Sequence, residues 1–241
     1  MNIAVEVKLF QSELRTHADP ERAKNEKRYL KSPMKHYGVK IPVLRQMCKY
    51  WLRAHRETPF KEVADLASKL WEGQYHEERM LAIFLLVNRV GELTIVDFPL
   101  IEHMVKTVTG WAQLDCIAGW LCGELYEKDP QFMTAVMRRW ITDDNFWVRR
   151  AALLTNMGPL RHGLGNYDLF EELFVPHLSE KEFFIRKAIG WVLRDIARKN
   201  PQVTYDYVTK YGAQMSGLTY REATRRLPLA MQQLLSKQFS K

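Results

Sequence analysis

The sequence predicts an all-α protein built as a curved α-solenoid with a basic concave face. Apolar residues recur at the helical spacing i, i+3, i+4 and i+7 along almost the whole chain, and only residues 93–98 form a short β-branched run. A basic residue also recurs near the start of successive apolar segments. Together the two patterns indicate stacked helices that present one repeated face.

Capping residues, or prolines suited to a first helical turn, mark where the helices begin. They divide the chain into about a dozen helices of roughly 10–18 residues joined by short turns. These signals are Asp19-Pro20, Thr58-Pro59, Asp129-Pro130, Asp143-Asp144-Asn145, Ser179 with Glu182 three residues later, and Asn200-Pro201.

The recurring position gives the repeat its length. The spacings between its five members are 34, 36, 35 and 37 residues, and a period near 36 in a helical chain is typical of HEAT-type helix pairs. We expect these residues to line the concave face. They are Arg45, Arg79, Asp115, Arg150 and Lys187.

The composition describes an ordered protein without an evident leader or linker. Hydrophobic residues make up 46% of the 241 residues, and the longest apolar run, Met80 to Val87, is too short to span a bilayer. We therefore expect a single domain over residues 1–241, no membrane association and a cytoplasmic location. The three cysteines form no C-x-x-C pair, so we expect reduced thiols and no bound metal.

The net charge of +8 is unevenly distributed. Residues 1–50 carry +6 and residues 181–241 carry +8, whereas residues 51–180 carry −6. Two basic ends are what a protein needs to hold a polyanion, and double-stranded DNA is the partner this pattern favours. Charge that serves solubility alone is the alternative.

Asp115 is the acidic member of an otherwise basic row. A carboxylate there opposes phosphate binding, so it indicates either a chemical role or an ion pair with Arg79 or Arg150. Trp111 lies one helical turn before Asp115, and Trp191 lies one turn after Lys187. Exposed indoles on this face would stack on bases or attract a cation. We expect the other tryptophans to lie in the core: Trp51, Trp71, Trp120, Trp140 and Trp147.

Three stretches of the chain resemble the HEAT-like-repeat DNA glycosylases of the AlkD type, which excise alkylated purines. Residues 108–115 (VTGWAQLD) resemble the segment that supplies the family's catalytic Trp and Asp. Residues 144–152 (DNFWVRRAA) resemble its D-N-x-W-x-x-R-A-A stretch, and residues 181–194 (KEFFIRKAIGWVLR) resemble its long K-E-F-F-I-x-K-A-I-G-W-x-L-R signature. With residues 28–31 (RYLK), the likeness covers nearly the whole chain.

The resemblance implies a monofunctional alkylpurine DNA glycosylase, a hydrolase of base excision repair. It would act on N3- and N7-alkylated purines in duplex DNA without cofactor or metal, and we expect a monomer. Asp115, Trp111 and Trp191 would be its catalytic residues. The expected DNA contacts are Arg150, Lys187, Arg194, Tyr29 and Arg45.

The chain departs from the family pattern at two positions. A second tryptophan and a further aspartate of the first motif are replaced by Gly110 and Ala112. Two alternatives to the enzyme are a HEAT-repeat protein that binds DNA structure without catalysis and a HEAT-type protein scaffold. Retention of Asp115, Trp111 and Trp191 favours the enzyme.

Overall fold

The computed structural model describes residues 1–239 and confirms the all-α prediction. Within those residues there is no β-strand, and extended backbone pairs only at an isolated parallel bridge between Lys35 and Tyr75. No helix in the described part of the chain is both long and apolar enough to cross a membrane. The chain forms two compact units, Met1–Leu125 and a second that begins at Tyr126. The expected single domain over residues 1–241 stays a prediction.

The first unit contains seven α-helices and a π-helical stretch that leads into an eighth. Two short 3₁₀ turns, Val90–Glu92 and Ile95–Asp97, separate α5 from α6. The helices are α1 (Ile3–Thr16), α2 (Pro20–Leu30), α3 (Ile41–Ala54), α4 (Phe60–Trp71), α5 (His76–Asn88), α6 (Phe98–Thr107), α7 (Trp111–Cys116), the π-helix (Ile117–Cys122) and α8 (Gly123–Lys128).

Helix α5 is the core of the first unit. It packs against α3 and α4, and most of its length is buried. Leu81, Ile83 and Leu85 are fully inaccessible to solvent, which accounts for the apolar run seen in the sequence. Burying each such side chain stabilises the fold by roughly 1.5–3 kcal/mol, so α5 fixes the positions of its neighbours.

The first turn of α5 also holds the segment that leads into α3. The buried carboxylate of Glu77 accepts backbone N–H bonds from Tyr37 (3.0 Å), Gly38 (2.6 Å) and Val39 (3.2 Å). Gly38 has φ +83°, and a Cβ there would lie 2.1 Å from the carbonyl oxygen of Asp19. Only glycine fits this turn, which therefore sets where α3 begins.

The second unit has α13 at its centre, packed against α10, α11, α14 and α15. Ile185, Ala188 and Val192 of α13 are fully buried. A 3₁₀ turn, Val175–His177, follows α12. The helices are α9 (Pro130–Trp140), α10 (Phe146–Thr155), α11 (Met157–His162), α12 (Tyr167–Phe174), α13 (Phe183–Ile196), α14 (Pro201–Tyr211), α15 (Gly217–Thr224) and α16 (Leu229–Phe239).

Most of the predicted helix starts are confirmed. Asp19, Asp129 and Asn145 accept backbone N–H bonds as N-caps of α2, α9 and α10. Ser179 is not the cap of α13, because the helix begins later and Glu182 caps it instead, accepting from Phe184 N–H. The sequence indicated a start at Ser179, with Glu182 as its partner three residues later, whereas the helix begins at Phe183.

The prediction that five tryptophans lie in the core is correct only in part. Trp71 and Trp140 are buried, and Trp51 and Trp147 are half-buried. Trp120 was wrongly placed in the core: it is 39% exposed. It lies in the π-helix, whose wider turns change the direction of its side chains relative to an α-helix.

Candidate nucleic-acid interface

The five residues of the repeat occupy equivalent places in five helices. Each is the fifth residue of its helix, except that Arg79 is the fourth residue of α5. The spacing near 36 residues therefore reflects a structural repeat. The helices are α3 for Arg45, α5 for Arg79, α7 for Asp115, α10 for Arg150 and α13 for Lys187.

Helix α7 has a buried side that fixes its orientation. Gln113 and Leu114 point into the first unit, and the amide nitrogen of Gln113 lies 3.1 Å from Nδ1 of His76. Burial lowers the pKa of His76 to about 4, so this imidazole is neutral at physiological pH. With that side anchored, Trp111 and Asp115 lie half-exposed on α7, one turn apart.

Tyr29 lies against Trp111. Their ring centroids are 5.9 Å apart, with an interplanar angle of 80°, an edge-on contact that aromatic pairs favour. Tyr29 is 72% exposed, so a flat aromatic surface is open to solvent beside Trp111. The cavity next to Trp111 has a volume of about 10 Å³, room for one water molecule and not for a nucleobase.

Cys116 shows how close the charges of Asp115 and Arg45 lie to this part of α7. Burial first, and then the charge of Asp115, raise the pKa of Cys116 to about 11, and the charge of Arg45 opposes the rise. The thiol is therefore protonated at neutral pH and is no nucleophile. The catalytic role of Asp115 on this helix face stays a prediction.

Arg45 lies between two aromatic rings. Its guanidinium carbon is 5.1 Å from the ring centroid of Phe84 and 5.4 Å from that of Trp120. Trp120 reaches this position because the π-helix follows directly after α7. Sequence reasoning missed Trp120, and no spacing pattern in the chain would have revealed a π-turn.

Lysines gather around a shallow pocket beside α2. The pocket has a volume of about 300 Å³ and opens to solvent. Its lining includes Lys24, Lys27 and Lys35, which belong to the basic first fifty residues. The sequence signalled this surface only as a net charge of +6, without indicating which lysines share it.

Arg79 links three helices of the first unit. Its guanidinium carbon lies 4.7 Å from the ring centroid of Trp71, and Nη1 donates to the carbonyl oxygen of Thr107 at 3.0 Å. The indole N–H of Trp71 donates to the hydroxyl of Thr107 at 2.9 Å. These contacts join α4, α5 and α6 just before the start of α7.

In the second unit, Arg150 is buried and its guanidinium packs against the ring of Trp191. Arg150 is only 3% exposed, and its Nη1 donates to the carbonyl oxygen of Phe184 at 2.6 Å. Its guanidinium carbon lies 5.9 Å from the ring centroid of Trp191. Arg150 therefore has a packing role, and its predicted contact with DNA stays a prediction.

Lys187 and Arg194 share one carboxylate. Lys187 Nζ donates to Glu222 Oε1 at 2.6 Å, and Arg194 Nη1 donates to Glu222 Oε2. Both cations stay partly exposed, on the same side of α13 as Trp191. The sequence did not identify Glu222, because no pattern pairs residues 28 and 35 positions apart.

The comparison with known families identifies the chain. Residues 10–227 match the model of the DNA alkylation repair enzyme family. The chain belongs to this family. The resemblance found in the sequence is thereby confirmed, and the two units described above form a DNA alkylation repair fold.

Solved structures share this fold. A predicted DNA alkylation repair enzyme from Enterococcus faecalis matches with a TM-score of 0.78 and 23% identity, over 88% of this chain and 98% of its own. AlkD2 from Streptococcus mutans matches with a TM-score of 0.57 and 18% identity, over 78% of this chain and 90% of its own. The comparison with curated proteins found no match.

One group of side chains in this DNA alkylation repair fold has the composition of a metal site. Glu26, His36 and Glu77 bring possible ligand atoms within 4.8 Å of one another. Glu77 already accepts three amide bonds, and His36, 3.9 Å from Glu26, lowers the pKa of that carboxyl. Glu77 of this group thus holds the start of α3, and we assign the group no metal.

Proposed function

We propose that this protein is a DNA glycosylase that hydrolyses the N-glycosidic bond of N3- and N7-alkylated purines in duplex DNA. The observation that carries the proposal is the placement of Asp115. It is a carboxylate one turn from a half-exposed tryptophan, on a helix face anchored by Gln113, in a member of the DNA alkylation repair enzyme family.

Alkylation at N3 or N7 gives the purine a positive charge and weakens its bond to the sugar. When the bond between C1′ and the purine nitrogen breaks, its electron pair moves to the base and neutralises that charge. Positive charge then develops on the sugar, as in other glycoside hydrolyses. Asp115 stabilises this charge because its carboxylate lies on the half-exposed face of α7 that also carries Trp111.

Water completes the reaction. Its oxygen forms the new bond to C1′, and the proton it loses passes to Asp115 or to solvent. The products are the free neutral purine and an abasic site, with the DNA backbone intact. This is the outcome expected of a monofunctional enzyme, and it requires no cofactor.

The aromatic surface accounts for recognition. A cationic nucleoside is attracted to the face of an indole, and Trp111 offers such a face, with Tyr29 packed edge-on beside it. The cavity beside Trp111 is too small for a base, so recognition there takes place on an open surface. This supports excision without a deep base-binding pocket, in contrast to enzymes that flip the base.

Basic residues of both units would bind the phosphates of the duplex. We propose that Arg45 and the lysines beside α2 act in the first unit. In the second unit, Lys187 and Arg194 would contact phosphates, and Trp191 would provide a second indole for the lesion. Phosphate contacts of this kind position a protein on DNA and do not read its sequence.

The test is release of 7-methylguanine from a methylated duplex. The wild type is expected to release the base, and Asp115→Asn to do so at least about a hundredfold more slowly while still binding duplex DNA, because it lacks the charge that stabilises the sugar. Asp65→Asn is the control, since it removes an exposed carboxylate of the same unit that pairs with Lys61.

Three outcomes would contradict the proposal in different ways. Tight duplex binding without base release by the wild type would favour a non-catalytic DNA-structure-binding protein. No DNA binding at all would favour a protein scaffold. An Asp115→Asn variant as active as the wild type would show that another group performs the chemistry.

A further inference from the structure

Glu222 joins the two cations that flank Trp191. Lys187 and Arg194 are seven residues apart on α13, which is two helical turns, and Trp191 lies between them. Each cation donates to a different oxygen of the same carboxylate. The Glu222 side chain is only 12% exposed, so this bridge is largely shielded from solvent.

A close crossing of two helices holds the bridge in place. Gly190 of α13 faces α15, and a Cβ at Gly190 would lie 2.6 Å from the Cβ of Glu222 and 2.9 Å from the carbonyl oxygen of Thr219. Thr219 also donates its hydroxyl to the carbonyl oxygen of Arg186 at 3.3 Å. Backbone packing therefore fixes the Cβ of Glu222 against α13, from where its carboxylate reaches both cations.

The charges around Glu222 leave the cluster positive. Burial raises the pKa of Glu222, but the hydrogen bond from Lys187 and the charge of Arg194 outweigh burial, and the pKa is lowered. Glu222 is thus ionised at neutral pH. The single negative charge of Glu222 faces three positive charges, those of Lys187, Arg194 and the nearby Arg225. The cluster therefore keeps an excess of positive charge that a phosphate can bind.

We propose that Glu222 is a positioning residue for DNA binding, which holds Lys187 and Arg194 on either side of Trp191 so that both meet backbone phosphates. The proposal rests on the proposed function, because it takes the ligand to be duplex DNA. Glu222 itself touches no DNA; it acts through the two cations. Long side chains lose much rotamer freedom when they bind, and that loss is smaller when they are held in place beforehand.

The test compares Glu222→Gln with Glu172→Gln. Glu172 is an exposed residue of the same unit that pairs with Arg138, so both substitutions change the net charge by the same amount. We expect Glu222→Gln to dissociate from undamaged duplex about tenfold faster than Glu172→Gln, because its two cations must be ordered on binding. Single-turnover release of 7-methylguanine at saturating protein is expected to slow by a similar factor.

Thermal unfolding separates positioning from stability. An ion pair that serves only stability would lower the midpoint in Glu222→Gln and leave the dissociation rate equal to that of Glu172→Gln, which would overturn the inference. Equal dissociation rates at equal midpoints would overturn it as well. A wild type that binds duplex but releases no base refutes the proposed function alone, because the dissociation rates still decide the role of Glu222.

Discussion

At the scale of single residues, Gly110 is one of the two positions at which the sequence departs from the motif it resembles. It stands immediately before α7, in an extended conformation that any residue can adopt, with φ −173°. A Cβ built there would meet no atom within 4 Å. The space in front of Gly110 is therefore unfilled, and it could hold the tryptophan that the family resemblance implies here.

Restoring this aromatic side chain is expected to strengthen binding. Gly110→Trp should leave the thermal midpoint close to that of the wild type, since the new side chain enters open space. It should slow dissociation from methylated duplex several-fold, because stacking on a base contributes roughly 1–3 kcal/mol. Gly91→Trp is the control, because Gly91 is also open. Equal dissociation rates for the two variants would place residue 110 away from the DNA.

The sequence predicted individual residues well where a local rule decided their position. Trp111 and Asp115 were expected to share a helix face because they are four residues apart, and both lie half-exposed on α7. Glu222 was missed because its partners come from another helix. The burial of Arg150 was also missed, since an arginine in a basic row is normally read as exposed.

At the scale of elements, the π-helix after α7 has the largest effect on the candidate site. A π-helix makes i→i+5 hydrogen bonds, and such turns often occur at functional sites. Here it brings Trp120 out of the core and against Arg45. The expectation that a tryptophan packs in the core is wrong for Trp120 in this π-helix, while it is correct for Trp71 and Trp140 in regular helices.

Replacing Trp120 should therefore affect binding more than stability. Trp120→Leu removes one of the two rings against Arg45, so we expect duplex affinity to fall by about threefold to tenfold with little change in the free energy of unfolding. Trp140→Leu is the contrast, because Trp140 is 1% exposed and a cavity there should lower the free energy of unfolding by about 2–4 kcal/mol. Chemical denaturation and fluorescence anisotropy with labelled duplex measure the two effects.

At the scale of the whole molecule, charge is the property that the sequence revealed most directly. The basic first fifty residues contain the lysines beside α2, and the basic C-terminal stretch contains Lys187 and Arg194. Composition showed that each end is positive. It did not show that acids such as Glu222 sit among these cations, which depends on helix packing that the sequence alone does not specify.

This charge distribution predicts a strong dependence of DNA binding on salt. If about four phosphates are neutralised, affinity for duplex should fall on the order of a hundredfold between 50 and 200 mM salt, since each contact releases counterions. Titrations of labelled duplex at several salt concentrations measure the slope. A flat response would exclude phosphate contacts and would support a protein scaffold.

The carboxylate of Glu77 has a consequence for the solubility of the whole protein. The segment from Lys35 to Val39 forms part of no helix, and bare backbone of this kind can pair with strands of other molecules. Four of its N–H donors already have partners: that of Lys35 donates to the carbonyl oxygen of Gln74, and those of residues 37–39 donate to Glu77. Glu77 thus occupies three donors through which this segment could otherwise pair with another molecule and begin to aggregate.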